Sequence, residues 1–578
     1  MAPKDTESSC VEFRGATSGS SALTWGQKQM CMWMADSAPY IEHMNLGVLV
    51  ECTRPTSLED VRDALKVVIE RHEALRTRLN VREDGTFEQM VCAAGKVPIG
   101  IHGNATWNDS GTILEELKSL PFTIFEWPLR IAVITSGELV AGIVLCLFHV
   151  GMDGWSLQVL HRDIEEFLLA TPEERDVLSG SPPRPLLQPR EHAQAQLREV
   201  GSECEARAEK FWTSQLMKFS NARFPVAFKP SEEPRFSHVT MQSFAVSRAL
   251  SEASVRYGVS VNTLLISSFS LVLSVMSGLE DATFRLFCAN RTASSQHSIG
   301  NFSQIVPVAV KVSDLPFREI LKGALKTSFA AYRVGERDPH RLDRIVDSVI
   351  SVRGVDPDLE CFVNIHGYGD SHATRRETEA APDTAIQPTD IRKAGGIEEW
   401  EPGKFYLDVW SVSECCEMSL QADTALFSSD QLMEFLRCFE EVLLKIVDAE
   451  DLSAQEIVGD AKFISDVRRE DFLVRIDESW VDLKAVHEML SEALSTETVQ
   501  IFTKGEGPVR SSLTAYLTLD QQSCDPRDVH RILLAEIKRR RFVVTPHWYV
   551  ICESCPSLPA TEEEWRLRGV VAEGSGRS

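Results

Sequence analysis

The run from Leu139 to Phe148 is almost unbroken in its apolarity and stops abruptly at His149. A run of that length and kind fits a strand buried on both faces, so it belongs inside a sheet that other elements cover. Pro128–Ile134 reads as the preceding strand, with Ser136-Gly137-Glu138 as the turn between them. Beyond His149, Gly151-Met152-Asp153-Gly154 breaks the pattern, and Trp155–Leu169 resumes at helical spacing. The fold class that follows is α/β. His149 stands where a buried strand gives way to a loop that enters a helix. Loop positions at the end of a rigid sheet are where reactive side chains are commonly mounted.

His149 and Asp153 are four residues apart, followed at once by Gly154. An imidazole can take a proton from an attacking amine or hydroxyl. The carboxylate can orient it, or can pair with a distant arginine to hold the loop; a histidine in this place can equally do no more than cap the strand. The net charge of −25 over 578 residues argues against nucleic acid and anionic membrane surfaces, which need a basic footprint. Apolar runs such as Thr263–Val275 carry serines and fall short of the roughly 20 residues that span a bilayer. The opening MAPKDTESSC has no apolar segment of the signal-peptide kind, and the expected location is cytoplasmic. Fourteen cysteines without regular spacing read as buried small hydrophobes, and the lone CxxC at Cys552 and Cys555 does not make a metal site.

Residues 1–20, rich in Ser, Gly and charge, are expected to be a disordered tail. A helix is predicted over Leu58–Leu79, opened by Thr56 with Glu59 three residues on. Ser181-Pro182-Pro183-Arg184-Pro185 reads as a linker, and a second α/β unit begins near Cys204. That unit is expected to hold an apolar helix at Val261–Met276, a strand at Ile305–Val312, a mobile surface loop at Gly369–Gly395, a strand over Phe405–Ala422 and a helix at Ser429–Val447. From about Ala454 the α/β alternation starts afresh, as in a separate small domain.

His149-Val150-Gly151-Met152-Asp153-Gly154-Trp155-Ser156 resembles the HHxxxDGxS signature of the condensation domains of non-ribosomal peptide synthetases. Phe148 stands in the place of the first histidine. Trp25-Gly26-Gln27 with Met32-Trp33 is similar to the opening motif, and Arg71-His72-Glu73-Ala74-Leu75-Arg76-Thr77 matches RHExLRT in full. Tyr257–Thr263, Asn290-Arg291-Thr292, Ile299-Gly300-Asn301-Phe302, Cys361–Asn364 and Asp423–Phe427 follow in the family's order, so that the likeness covers roughly residues 20–450. The resemblance implies two chloramphenicol-acetyltransferase-like lobes in a V-shaped pseudo-dimer, here 21–190 and 191–453. It implies acyl or aminoacyl transfer from a carrier-protein phosphopantetheine thioester to an amine, with His149 catalytic. Asp153, Gly154, Arg291 and Asn364 would shape the site, Asp153 pairing with Arg291, while Trp155, Ser156, Asn301 and Ser303 would line the substrate tunnel. Ser303-Gln304-Ile305 departs from the family's Val-Asn-Thr, which implies an altered tunnel.

Residues 454–578 resemble the small C-terminal subdomain of adenylating enzymes, through Asp471–Ile476, Val481-Asp482-Leu483, Leu513–Tyr516 and Leu558-Pro559-Ala560-Thr561. The family's Gly-Lys after LPxT is replaced by Glu564-Trp565, and no lysine follows Lys538, so this tail is expected to form no adenylate. No cofactor is expected on the chain itself; phosphopantetheine would arrive on an acyl or peptidyl carrier protein. The acceptor would be a small-molecule or carrier-bound amine. Two rivals accompany this reading: ester formation on a hydroxyl acceptor, and a catalytically silent module that recruits a partner.

Overall fold

In the computed structural model the described residues are 9–39, 41–180, 186–226, 231–366, 388–397, 403–459, 472–505, 512–519 and 525–577. They divide into two compact units. The first comprises Met1–Ala206, Cys288–Gln304 and Gly335–Pro339, and the second comprises Arg207–Phe287, Ile305–Val334 and His340–Ser578. The division therefore differs from the expected boundary at 190: residues up to 206 stay with the first unit, and two later segments return to it.

The first unit is built on a sheet with strand order Ser9–Arg14, Ala94–His102, Leu129–Ser136, Leu139–Leu147, Leu46–Glu51. Leu139–Leu147 is flanked by antiparallel partners on both sides, and apolar clusters cover both its faces, one taking Ile143, Leu145 and Leu147 and others taking Val144 and Cys146. Helices Leu58–Arg71 and Gly154–Leu169 supply Val61, Leu65, Val68, Leu160 and Ile164 to the core on this sheet. The strand Ser9–Arg14 corrects the expectation of a disordered start. Val11 and Phe13 alternate inward and are each 1% exposed, a signal that the surrounding Ser and Gly obscure. The helix Leu58–Arg71 is capped by Ser57 with Asp60, one residue beyond the predicted Thr56 and Glu59. The chain then turns into the strand Thr77–Val81.

RHExLRT proves to be scaffolding. Arg71 and His72 both reach the Asp163 carboxylate, at 3.1 and 2.9 Å. Glu73 accepts from Arg190 and from the Thr17 hydroxyl, and Arg76 donates to the carbonyls of Thr17 and Cys92. His72 is fully buried, and burial holds its pKa below the ordinary histidine value despite the neighbouring carboxylate.

The second unit carries a seven-stranded sheet, ordered Gln304–Lys311, Asp281–Cys288, Cys361–Ile365, Phe405–Ser411, Cys416–Asp423, Phe236–Ser243, Asp390–Ile397. The stretch read as one strand over Phe405–Ala422 is a hairpin of two strands. Its second strand continues the inward alternation with Cys416, Met418, Leu420 and Ala422, so the period alone hides the turn. The expected loop at 369–395 lies outside the described residues up to 387, and from Asp390 it is a strand paired with Phe236–Ser243. The linker at 181–185 also lies outside them. One face of this sheet packs on Phe269, Leu273, Phe435 and Phe439 of the helices Val261–Ser277 and Ser429–Lys445. Among the described residues, no single helix is long and apolar enough to cross a membrane.

The tail forms a four-stranded sheet, Val499–Lys504, Ser512–Leu517, Trp548–Cys552, Val570–Gly574, with helices Leu483–Leu494 and Pro526–Ile537 on one face. Its core is continuous with Ile350 and Val355 of the second unit. Polar contacts bind the joint. Asn221 accepts from Val543 N and its own N–H donates to the Ser479 hydroxyl; Trp480 Nε1 donates to Ser277 O at 2.7 Å, and the Arg353 guanidinium donates to the carbonyls of Phe219 and Asp477.

Candidate functional site

Pairing of Leu139–Leu147 with its neighbours stops just before His149, and the chain must turn to enter the helix Gly154–Leu169. The turn closes through Gly151 N to Phe148 O at 3.0 Å. Phe148, in the place of the expected first histidine, is buried against Phe122 with ring centroids 5.3 Å apart, so it anchors the strand end apolarly. His149 Nδ1 lies 2.8 Å from Met152 O. A carbonyl can only accept, so Nδ1 bears the proton and Nε2 is the basic nitrogen of the neutral ring.

Asp153 is the N-cap of the helix and is fully buried. Its Oδ1 accepts from Ser156 N at 3.1 Å, from the Ser156 hydroxyl at 2.8 Å and from Arg291 Nη2 at 2.5 Å. Oδ2 accepts from the backbone N–H groups of Phe302 and Ser303, at 3.0 and 3.1 Å, and from the Ser303 hydroxyl at 3.1 Å. Burial alone would raise this carboxyl's pKa, but the Arg291 charge and the amide and hydroxyl donors prevail and hold it below its ordinary value. The Arg291–Asp153 pair is nearly dry, with side-chain exposures of 4% and 1%. Arg291 also lies over the Phe302 ring at 4.3 Å. One carboxylate thus fastens the segment 291–303 to the loop that carries His149.

Two of the residues expected to line a tunnel are buried and bonded to other segments. Ser156 is fully buried, its hydroxyl oxygen 2.9 Å from Gly300 O and accepting from Gly300 N–H at 3.0 Å. Asn301 is 2% exposed and its Nδ2 donates to His149 O at 2.7 Å. Both are occupied in holding chain to chain. Trp155, on the helix Gly154–Leu169, donates from Nε1 to Gln296 O at 2.8 Å. Gly154 opens that helix.

Asn364 belongs to the second unit. Its amide lies 3.2 Å from Tyr406 OH and 2.9 Å from His366 Nε2. His366 Nε2 is 2.7 Å from Asp408 Oδ1, and the imidazole stacks on Trp410 with centroids 4.5 Å apart. Neither His366 nor Asp408 falls in a motif visible in the sequence. They share a face because Cys361–Ile365 and Phe405–Ser411 are parallel neighbours with Asn364 opposite Asp408. The period-2 spacing of Phe362, Asn364 and His366 is the signal that finds that face once the pairing is known.

The condensation-domain family model matches residues 19–468. The chain belongs to this family. As a condensation domain it is 25% identical over 327 residues to the nonribosomal peptide synthetase kk1B of Curvularia clavata, a match covering 54% of this chain and 2% of that protein. It is 23% identical over 306 residues to the nonribosomal peptide synthetase TES of Alternaria alternata, covering 51% and 6%. The chain therefore spans only 2–6% of the length of these curated relatives. Solved structures share the fold. SgcC5 of Streptomyces globisporus, crystallised with a naphthyl ethanediol and sucrose, matches with a TM-score of 0.57 at 21% identity, over 75% of this chain and 100% of its own. The X-domain from teicoplanin biosynthesis matches at 0.54 and 19%, over 75% and 96%. Holo-AB3403, a four-domain nonribosomal peptide synthetase bound to AMP and glycine, matches at 0.57 and 16%, over 85% of this chain and 37% of its own.

Proposed function

We propose that the chain transfers an acyl or aminoacyl group from a carrier-protein phosphopantetheine thioester to an amine, forming an amide in natural-product biosynthesis. The observation that carries this reading is the His149 loop: an imidazole at a buried strand end, its Nδ1 held by Met152 O, so that the basic nitrogen is Nε2. A free α-amine has a pKa near 8, so part of it is already neutral at pH 7. It attacks the thioester carbonyl, Nε2 takes the excess proton from the adduct, and the C–S bond breaks with the proton returned to the departing thiolate. Asp153 takes no proton; it is the clamp of the site. The phosphopantetheine belongs to the carrier, a separate partner, and the reaction is placed in the cytoplasm.

Ester formation is the second reading. A hydroxyl acceptor keeps its proton at neutral pH and so needs base catalysis from the outset, and the neighbour SgcC5 was crystallised with a diol. A silent recruiting module is the third, favoured by the likeness to the X-domain. Incubation with loaded carrier proteins and paired amine and alcohol acceptors, read by intact-protein mass spectrometry, separates the three. Amide product that His149→Ala abolishes supports the first. Ester alone selects the second, and loss of acyl groups from neither variant selects the third.

The tail is proposed to be a degenerate adenylation-type subdomain kept for contacts. The greater coverage by the four-domain synthetase supports this. So does Trp565, fully buried against Tyr516 with Nε1 donating to Gln500 Oε1 at 3.0 Å, close to where the family's lysine would stand. Removing the tail at Ala454 would uncover Ile350 and Val355, so truncation is a test of the second unit's folding rather than of the tail's chemistry.

A further inference from the structure

We infer that Asn301 is a positioning residue for His149: its amide sets the main chain on which the imidazole is mounted. The inference rests on the reading that His149 is the base, and lies wholly within the first unit. Phe148 N donates to Pro128 O at 2.9 Å at the strand end, and three further hydrogen bonds fasten the loop from there to Met152. Two are its own, Gly151 N to Phe148 O and His149 Nδ1 to Met152 O, at 3.0 and 2.8 Å. The third comes from 152 residues away, where Asn301 Nδ2 donates to His149 O at 2.7 Å. It fixes the histidine's own peptide to another segment.

Asn301 is itself held from both sides. Thr24 Oγ donates to Asn301 O at 2.7 Å, and the next peptide's N–H, that of Phe302, goes to Asp153 Oδ2 at 3.0 Å. Gly26 leaves the room. A Cβ at Gly26 would lie 2.6 Å from Asn301 O and 2.9 Å from Asn301 Oδ1, closer than carbon and oxygen approach. The Trp25-Gly26-Gln27 motif therefore reaches His149 through Asn301. With the 2% exposure of Asn301, this geometry is that of a bracket and not of a surface offered to substrate.

Three variants test it: Asn301→Ala, which deletes the donor; Asn301→Asp, which keeps the shape but turns the donor into an acceptor facing a carbonyl; and Gly26→Ala, which pushes on the bracket without touching its chemistry. Misplacement of a reacting group by about an ångström costs rates of the order of 10²-fold, so Asn301→Ala is expected to lower kcat roughly 10- to 100-fold with KM little changed. Asn301→Asp should do no better than Ala. Gly26→Ala combined with Asn301→Ala should be no worse than the poorer single variant, because both act through one contact. An unchanged kcat, a loss confined to KM, or additive effects of the two changes would overturn the inference. A second readout stands apart from turnover. In protein labelled with ¹⁵N-histidine, the His149 resonances, assigned by their absence in His149→Ala, report which ring nitrogen carries the proton. Wild type should show one tautomer and Asn301→Ala a mixture of the two. If wild type transfers no acyl group, the proposed function fails while this signal still decides the role of Asn301; a pure tautomer in both proteins refutes it. Where Asn301→Ala does not fold, Thr24→Val and Gly26→Ala carry the same two measurements, with a displaced tautomer balance supporting the bracket and an undisturbed one refuting it.

Discussion

Each unit holds a histidine just past the end of a strand, and the two are mounted on different principles. His149 follows Leu139–Leu147 and its ring is set by a backbone carbonyl, Met152 O. His366 follows Cys361–Ile365 and faces a carboxylate, Asp408, while stacking on Trp410, which is 51% exposed. A carbonyl chooses a tautomer and adds no full charge. A carboxylate also chooses one, but it sets a full negative charge beside the ring. The lesson is that a nearby acid is not the mark of a histidine's use. In the first unit the acid four residues from His149 is spent on holding segments together.

His149→Ala is the substitution expected to cost most in function, about 10²–10⁴-fold in transfer, since general acid–base groups contribute on that scale. His366→Ala, assayed beside it on the same loaded carrier, is expected to cost less than about tenfold. Equal losses would break the comparison by giving both rings the same task.

In stability the order reverses toward the clamp. Asp153→Ala leaves Arg291 buried without its carboxylate and should remove about 3–5 kcal/mol, whereas His149→Ala should remove under about 1. Asp408→Ala, in a pair with side-chain exposures of 18% and 9%, should fall between them, near 1–3 kcal/mol. Urea titrations of the three variants would check the ranking, and a melting point of Asp153→Ala equal to wild type would show the clamp to be idle.

A third imidazole sharpens the contrast further. His72 is held neutral by burial, so its folded pKa lies below the ordinary value near 6.5 that it has when unfolded. The unfolded chain then binds the proton first as pH falls, and stability should drop below about pH 6.5 by up to 1.4 kcal/mol per pH unit. Melting temperatures between pH 7.5 and 5.5 should slope downward for wild type and more gently for His72→Asn; parallel slopes would exclude His72 as the cause. The smallest expected signal is in the tail: amino-acid-dependent ATP–pyrophosphate exchange should be at background for the full chain, and exchange above it would restore a chemistry that the Trp565 core speaks against.

Much of the first site was legible because its parts are contiguous or carry a type that admits few explanations. A buried strand, a break and a helix placed His149 and Asp153, and the likeness supplied Arg291 as the partner of Asp153. What stayed hidden depends on contacts between distant residues. Whether Asn301 faces open space or holds a carbonyl depends on a partner 152 positions away, and Ser156 is the same case with Gly300. His366 and Asp408, 42 positions apart, meet only through strand register. Composition misled at the start of the chain, where Ser and Gly outnumber the inward-facing Val11 and Phe13 that make a strand.

The first unit is discontinuous, and that sets an order of events during synthesis. Asp153 leaves the ribosome 138 residues before Arg291, the interval that separates them in the chain. At elongation rates of about 5–20 residues per second this is a wait of roughly 7–28 s. Through that interval the nascent domain holds a carboxylate whose cationic counterpart does not yet exist, so its burial is costly and the His149 loop has no bracket. The strands of the first sheet can pair early, but its reactive end can set only after the second unit is under way. A ribosome stalled at residue 206 would carry a nascent chain whose sheet resists protease and whose loop around His149 does not.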